Sequence, residues 1–266
     1  SYHMSLSKIR MDIREYFGQK KVLYNLLLTF LENESEDKEE YDELINFCES
    51  KYIHANRCEF RIFLRLILKI SKHHHRSPIF LKKIEQIILQ FSDQIKQTFS
   101  NSEIFNIFIN DKLILLILFK NNIITINEHF LINIFKKKSN ENFDYIHFFF
   151  PEVKPHLEEE EEEEEYKEEE EDSEEEEGNF INVKTITKEL LNFDSKIFEK
   201  FDEKRKTGEN DSYLCLLIRN DSIIEFVQYV TKKCISLDKK VSPSLFETNP
   251  FLTKNDVTLI EYAAFF

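Results

Sequence analysis

Apolar residues return every three or four positions along most of this chain, the spacing that lines one face of a helix. Over residues 12–31, Tyr16, Leu23, Leu26, Leu27 and Phe30 share a side, and the charged stretch 32–40 ends the pattern. Asp37 and Glu40 stand at capping-box spacing ahead of Leu44, Ile45 and Phe47, which predicts a second helix start. Further helices are predicted over 59–71, over 79–99 behind Pro78, and over 102–119, 127–137 and 141–150, until Pro151 and Pro155 stop the series. After a charged interruption, 182–204 carries Leu190, Leu191, Phe193, Ile197, Phe198 and Phe201. Residues 211–218 and 222–233 then read as helix, short turn and helix. Ser222 with Glu225, and Thr258 with Glu261, repeat the capping-box spacing, the latter ahead of Tyr262, Ala263 and Ala264. Short helices with brief polar joints are the rhythm of antiparallel helix pairs, so the expected fold class is all-α.

Composition supports helices and removes the main alternative. Three Gly and five Pro leave little material for hairpin turns and bulges, while 26 Phe and 41% hydrophobic residues are enough for real cores. The longest dense apolar run, 112–119, is far short of a membrane span. Cys48, Cys58, Cys215 and Cys234 match neither a zinc spacing nor a redox pair, so they read as reduced thiols in a cytoplasmic or nuclear protein. Ser1 to His3 read as a cloning scar before Met4, and no signal peptide follows.

Charge divides the chain. Seventeen carboxylates crowd residues 158–177 against Lys167 alone, which leaves the remainder slightly basic within a total formal charge of −14. Such a block repels itself and offers no apolar surface to offset the entropy of ordering. The expected organisation is therefore a helical domain over 4–156, an acidic low-complexity linker or insertion over 157–179, and a second helical portion over 180–266. The tract invites two further readings: a decoy for basic proteins such as histones, because a dense negative field recruits basic tails, and a partner for a basic surface within the chain.

That basic surface is a stripe. Arg57, Arg61, Arg65, Lys69, Lys72 and Arg76 fall on one side of a predicted helix, and Phe60, Phe63, Leu64, Leu66, Ile67 and Ile70 fall on the other. Cations at i and i+4 repel mildly, so an anion is expected to compensate. Nucleic-acid phosphate and the chain's own acidic tract are the candidates. The tract is favoured, since tethering gives it a high effective concentration.

Catalytic chemistry has little to work with. The chain lacks a Gly-rich phosphate loop, a nucleophile elbow and a spaced His-Glu metal pair. His73, His74 and His75 are consecutive, so a regular helix cannot aim all three at one ion. The expectation is a non-enzymatic chain with no cofactor and no metal.

The segments Arg205-Lys-Thr-Gly-Glu-Asn-Asp211, Leu217-Ile-Arg-Asn-Asp221, Ser244-Leu-Phe-Glu-Thr-Asn249 and Thr258-Leu-Ile-Glu-Tyr-Ala-Ala-Phe-Phe266 carry a resemblance. Thr258 and Ala263 sit where an ankyrin repeat places its opening Thr and its small residue, with Glu261 in place of the usual His and Ala264 beside it. Over 200–266 the chain resembles the N-terminal regions of the large ankyrin-repeat proteins of parasitic protists such as trichomonads. The resemblance implies an ankyrin-like, α-solenoid portion at the C-terminal end. It also implies that regular repeats continue past Phe266, and that the function is protein binding, as a scaffold or as the cap of a solenoid. The interval from Tyr213 to Ile260 is about fourteen residues longer than the ~33-residue repeat, so one irregular first unit is expected.

Overall fold

The computed structural model describes residues 6–33, 35, 38–73, 77–126, 147–155, 200–254 and 256–266. The described chain is all-α, and its β pairing among these residues is one isolated antiparallel bridge between Lys240 and Thr258. The chain divides between Ile109 and Asn110 into two compact units.

The first unit contains α1 (Leu6–Glu32), α2 (Lys38–Ser50), a short 3-10 turn (Ile53–Ala55), α3 (Arg57–His73), α4 (Pro78–Gln90), α5 (Ser92–Thr98) and α6 (Asn101–Phe108). Its core follows most of the apolar faces seen in the sequence: Leu23, Leu27 and Phe30 of α1 are buried with Leu44, Phe60, Phe63, Ile67, Ile84 and Ile87, whereas Tyr16 of α1 is exposed and Leu26 and Leu66 are only half-buried. Phe91 packs edge-on against both Phe60 and Phe63, with ring centroids 5.9 and 5.4 Å away. Edge-to-face pairs of this kind add about 0.5–1.5 kcal/mol each beyond the area buried. Lys83 is buried and donates to the carbonyls of Phe30 and Asn33 at 2.8 and 2.6 Å, closing the end of α1. A cation there satisfies orphan carbonyls and opposes the negative end of the helix dipole.

Two predicted helices are each split. The segment 79–99 breaks at Phe91 into α4 and α5, and 102–119 breaks at 109–111 into α6 and α7 (Lys112–Lys120). Both splits leave the apolar period intact, which is why periodicity alone ran through them. The second is made by Asp111, buried, whose carboxylate accepts from the N–H groups of Leu113 and Ile114 and starts a new helix. Ser77 caps α4 in the same way, with Pro78 at the first helical position, where its missing N–H costs nothing.

The second unit contains α7, the helical stretch 150–155, α8 (Phe201–Thr207), α9 (Tyr213–Arg219), α10 (Ile223–Lys233), α11 (Pro250–Lys254) and α12 (Leu259–Phe265). Residues on both sides of the acidic tract thus pack into one unit. Arg205 of α8, 3% exposed, donates to the Phe148 carbonyl and the Glu152 carboxylate, with its guanidinium over the Phe148 and Phe201 rings. The compact division therefore does not coincide with the break expected at 157–179. Charge patterning marks where a core cannot form, whereas compactness depends on which segments find each other in space. The tract itself, the predicted helix 127–137, most of 141–150 and most of 182–204 lie outside the described residues. Among the described residues, no helix is long and apolar enough to cross a membrane.

Candidate functional site

The basic stripe is placed by α3, whose buried face holds Phe60, Phe63, Leu64, Ile67 and Ile70. The anion expected to compensate its first turns is Glu103 of α6. Its Oε1 accepts from Arg57 at 2.5 Å and from Arg61 at 2.8 Å, and Arg57 also donates to the Thr98 carbonyl. Glu103 is at the same time the N3 residue of a capping box with Ser100. The Ser100 N–H and then the Arg57 guanidinium hold its carboxyl down to about 2. Arg57 and Arg61 also lie over the Phe99 ring, at 5.3 and 5.4 Å. Arg65 and Lys69 are exposed and Lys72 is half-buried, while Arg76 lies outside the described residues together with His74 and His75. The stripe is thus a face whose first two cations are committed to an intramolecular carboxylate. Sequence periodicity found the cations but not Glu103, which is more than forty positions away; its Ser-x-x-Glu spacing was the available signal.

The ankyrin-like motif sits on α12. Thr258 and Glu261 form the predicted capping box, each side chain taking the other's backbone N–H. Tyr262 is fully buried, and Ala263 and Ala264 are exposed. The box predicted at Ser222 and Glu225 does not form: Ser222 makes no side-chain cap bond. Asp221 takes a left-handed conformation (φ 50°) and Ser222 has ψ 60°, which is not the extended geometry that aims a hydroxyl at the N3 amide.

The four segments that carry the resemblance converge on one polar clasp around α9. Arg219 donates to the Asn210 carbonyl and to the Tyr262 hydroxyl, and its Nε pairs with Glu209 at 2.6 Å. Glu247, 4% exposed, accepts from the Asn210 N–H through one oxygen and from the Asn249 N–H through the other. Thr248 donates through both its N–H and its hydroxyl to the Gly208 carbonyl, and Ser244 donates to Asp211. Burial and the neighbouring Glu247 charge push the Tyr262 phenol upward, so it stays protonated and accepts from Arg219. Burial likewise raises the thiol of Cys215, which shares a small core with Leu252, Val257 and Tyr262. These groups satisfy one another, so the clasp holds the loop 234–249 against α9 and α12. The bridge at Lys240 and Thr258 fixes the same loop from the other end, with Val241 N–H donating to the Val257 carbonyl.

One surface was not singled out by the sequence. Helix α10 has no buried residue, yet Ile223, Ile224 and Val227 lie along it, 63%, 74% and 55% exposed. It packs on α9, which also packs on α12. Tyr213 and Leu216 of α9 add exposed apolar area. The helical period of 222–233 was legible; only the tertiary structure shows that its apolar face is left uncovered among the described residues.

Among the described residues, no three His, Cys, Asp or Glu side chains group as a metal site. Comparison with protein-family models, with curated proteins and with solved structures gives no match.

Proposed function

We propose that this chain is a non-catalytic protein-interaction module that docks a partner on the outer face of α10. The exposure of Ile223, Ile224 and Val227 on a helix with no buried side chain carries the reading. Fully burying an aliphatic side chain of this size contributes about 1.5–3 kcal/mol, so a partner covering this row gains several kcal/mol before any polar contact. Contiguous exposed apolar patches of this kind mark interaction sites.

An ankyrin-like solenoid cap is the form of module we favour. It is supported by α9 packing between α10 and α12, by the pairing of the loop before α11 with the start of α12, and by the Thr258–Glu261 box. In a stacked array each unit buries its lateral face only against a neighbour, which gives an open apolar flank a use.

The test is affinity capture with three forms of the full chain: the native sequence, Ile224→Asp with Val227→Asp, and a deletion of 158–177. Both substituted positions are exposed, so circular dichroism and melting temperature should stay unchanged. Proteins retained by the native and deleted forms but lost by the double variant support the reading. Retention by the double variant overturns it, and loss on deletion alone points to the acidic tract as the binding element.

A further inference from the structure

The uncovered face of α10 carries charge as well as apolar area, and the charge is ordered along the helix. Ile223 and Val227 stand four residues apart with Ile224 beside them, and Thr231, also exposed, continues the row by one more turn. Along one edge of that row Glu225, Gln228 and Lys232 follow at three- and four-residue steps, all exposed. Glu225 belongs to the first turn, with Asp221 exposed just ahead of it, and Lys232 and Lys233 belong to the last. None of these four charged side chains has an ion-pair partner among the described residues.

This order selects the partner. A wholly acidic or wholly basic surface would match one end of α10 and be repelled by the other. A second α10 laid antiparallel matches both ends. Glu225 lies two residues before Val227 and Lys232 five after it, so across a two-fold axis at Val227 their levels differ by three residues. That is about 4.5 Å of helix rise, which two long side chains span. Lys233, six residues after Val227, comes level with Asp221, six before it. Gln228 meets the copy near the axis with an amide that both donates and accepts. A parallel pairing would instead set Glu225 on Glu225 and lysine on lysine.

We infer that the occupant of the α10 face is a second copy of this chain, paired antiparallel about a two-fold axis near Val227. The inference rests on the reading of α10 as a docking face and names its partner. A two-fold contact is made twice, so Ile223, Ile224 and Val227 of both copies leave water together, and the symmetry closes the assembly at two chains. A row this short is well below the roughly 800 Å² that each partner of a stable complex buries, so the dimer is weak.

The experiment is sedimentation equilibrium of the full chain from roughly 10 µM to 1 mM in about 0.15 M salt, which screens repulsion between the two acidic tracts. The native chain should fit a monomer–dimer equilibrium with a Kd of roughly 100 µM and no larger species. Ile224→Asp with Val227→Asp should weaken it at least about twentyfold. Glu225→Lys alone, and Lys232→Glu with Lys233→Glu, should each weaken it about fivefold, because each sets like charges together twice. All of these positions are exposed, and circular dichroism checks that α10 stays folded. Combining the three charge reversals in one chain should restore the native Kd, which an antiparallel pair permits and a parallel pair does not. A chain that stays monomeric throughout, association that survives the double Asp variant, species that grow beyond the dimer, or a combined variant no tighter than its parents overturns the inference. A monomeric chain whose captured partner is still lost in the double Asp variant removes the second copy and leaves the docking reading standing. A dimer lost in that variant while other captured proteins are retained upholds the copy and removes the wider reading.

Discussion

Replacing Arg205 by Met tests whether the second unit is held together across the acidic tract. The guanidinium is 3% exposed and makes three contacts: 3.1 Å to the Phe148 carbonyl, 2.5 Å to Glu152 and 2.9 Å to Asp202. The Asp202 contact counts for little, since that side chain is 70% exposed. Loss of the Phe148 contact orphans a buried carbonyl, at about 1–3 kcal/mol. Glu152 is only 23% exposed, so losing its cation costs more than a surface pair but less than the roughly 3–5 kcal/mol typical of a fully buried one. Met restores part of the packing against Phe148 and Phe201. Against this, Arg205 Nε is buried without a partner, so the native arrangement itself carries a cost. The net expectation is a loss of about 3 kcal/mol. Arg205→Lys should fall between, keeping the charge and losing the fork. Hydrogen exchange is the suitable assay, because it reads amides 147–155 and 200–207 separately from the first unit; urea unfolding gives the total. A double-mutant cycle with Glu152→Gln should show coupling of about 1–2 kcal/mol. A loss under about 1 kcal/mol with no coupling to Glu152 would refute the clamp.

Three further outcomes are expected. Gly208→Ala should destabilise the second unit by about 2–4 kcal/mol in urea unfolding, because φ is +67° and an added Cβ would lie 2.6 Å from the buried Leu113 side chain. Glu103→Gln should flatten the acid limb of the first unit's stability. The folded carboxyl is depressed from 4.5 to about 2, so its contribution is present above the unfolded value and is lost as pH falls through that window. Melting followed against pH checks this, and Gln can still complete the capping box, which isolates the charge. Deleting 158–177 roughly halves the connection between 155 and 200, so loop-closure entropy should change the stability of the second unit by no more than about 0.6 kcal/mol; a larger loss in calorimetry would show that the tract contributes contacts.

The helical class, the amphipathic faces of α1 and α3, and the capping box at Thr258 were legible because each depends on residues within one or two turns. A 3.6-residue period and a Ser/Thr-x-x-Glu spacing are local codes for helix and helix start. The same locality explains the misses. Nothing within reach of Ser222 reveals that Asp221 turns left-handed and spoils its cap, and the apolar period passes unbroken through Phe91 and Asp111. Partnerships over long separations were invisible for the same reason: Glu103 with Arg57 and Arg61, Lys83 with the end of α1, and Arg219 with Tyr262.

The acidic run shows the division most clearly. Its composition alone determined that residues 158–177 cannot build a core, since self-repulsion and the lack of apolar area are properties of the residues themselves. Whether that run separates two units or interrupts one is not such a property. It depends on whether Phe148 and Glu152 meet Arg205 in space, and only the tertiary structure decided that they do. Local preference is additive along a chain, whereas the pairing of distant segments follows from which faces bury each other best.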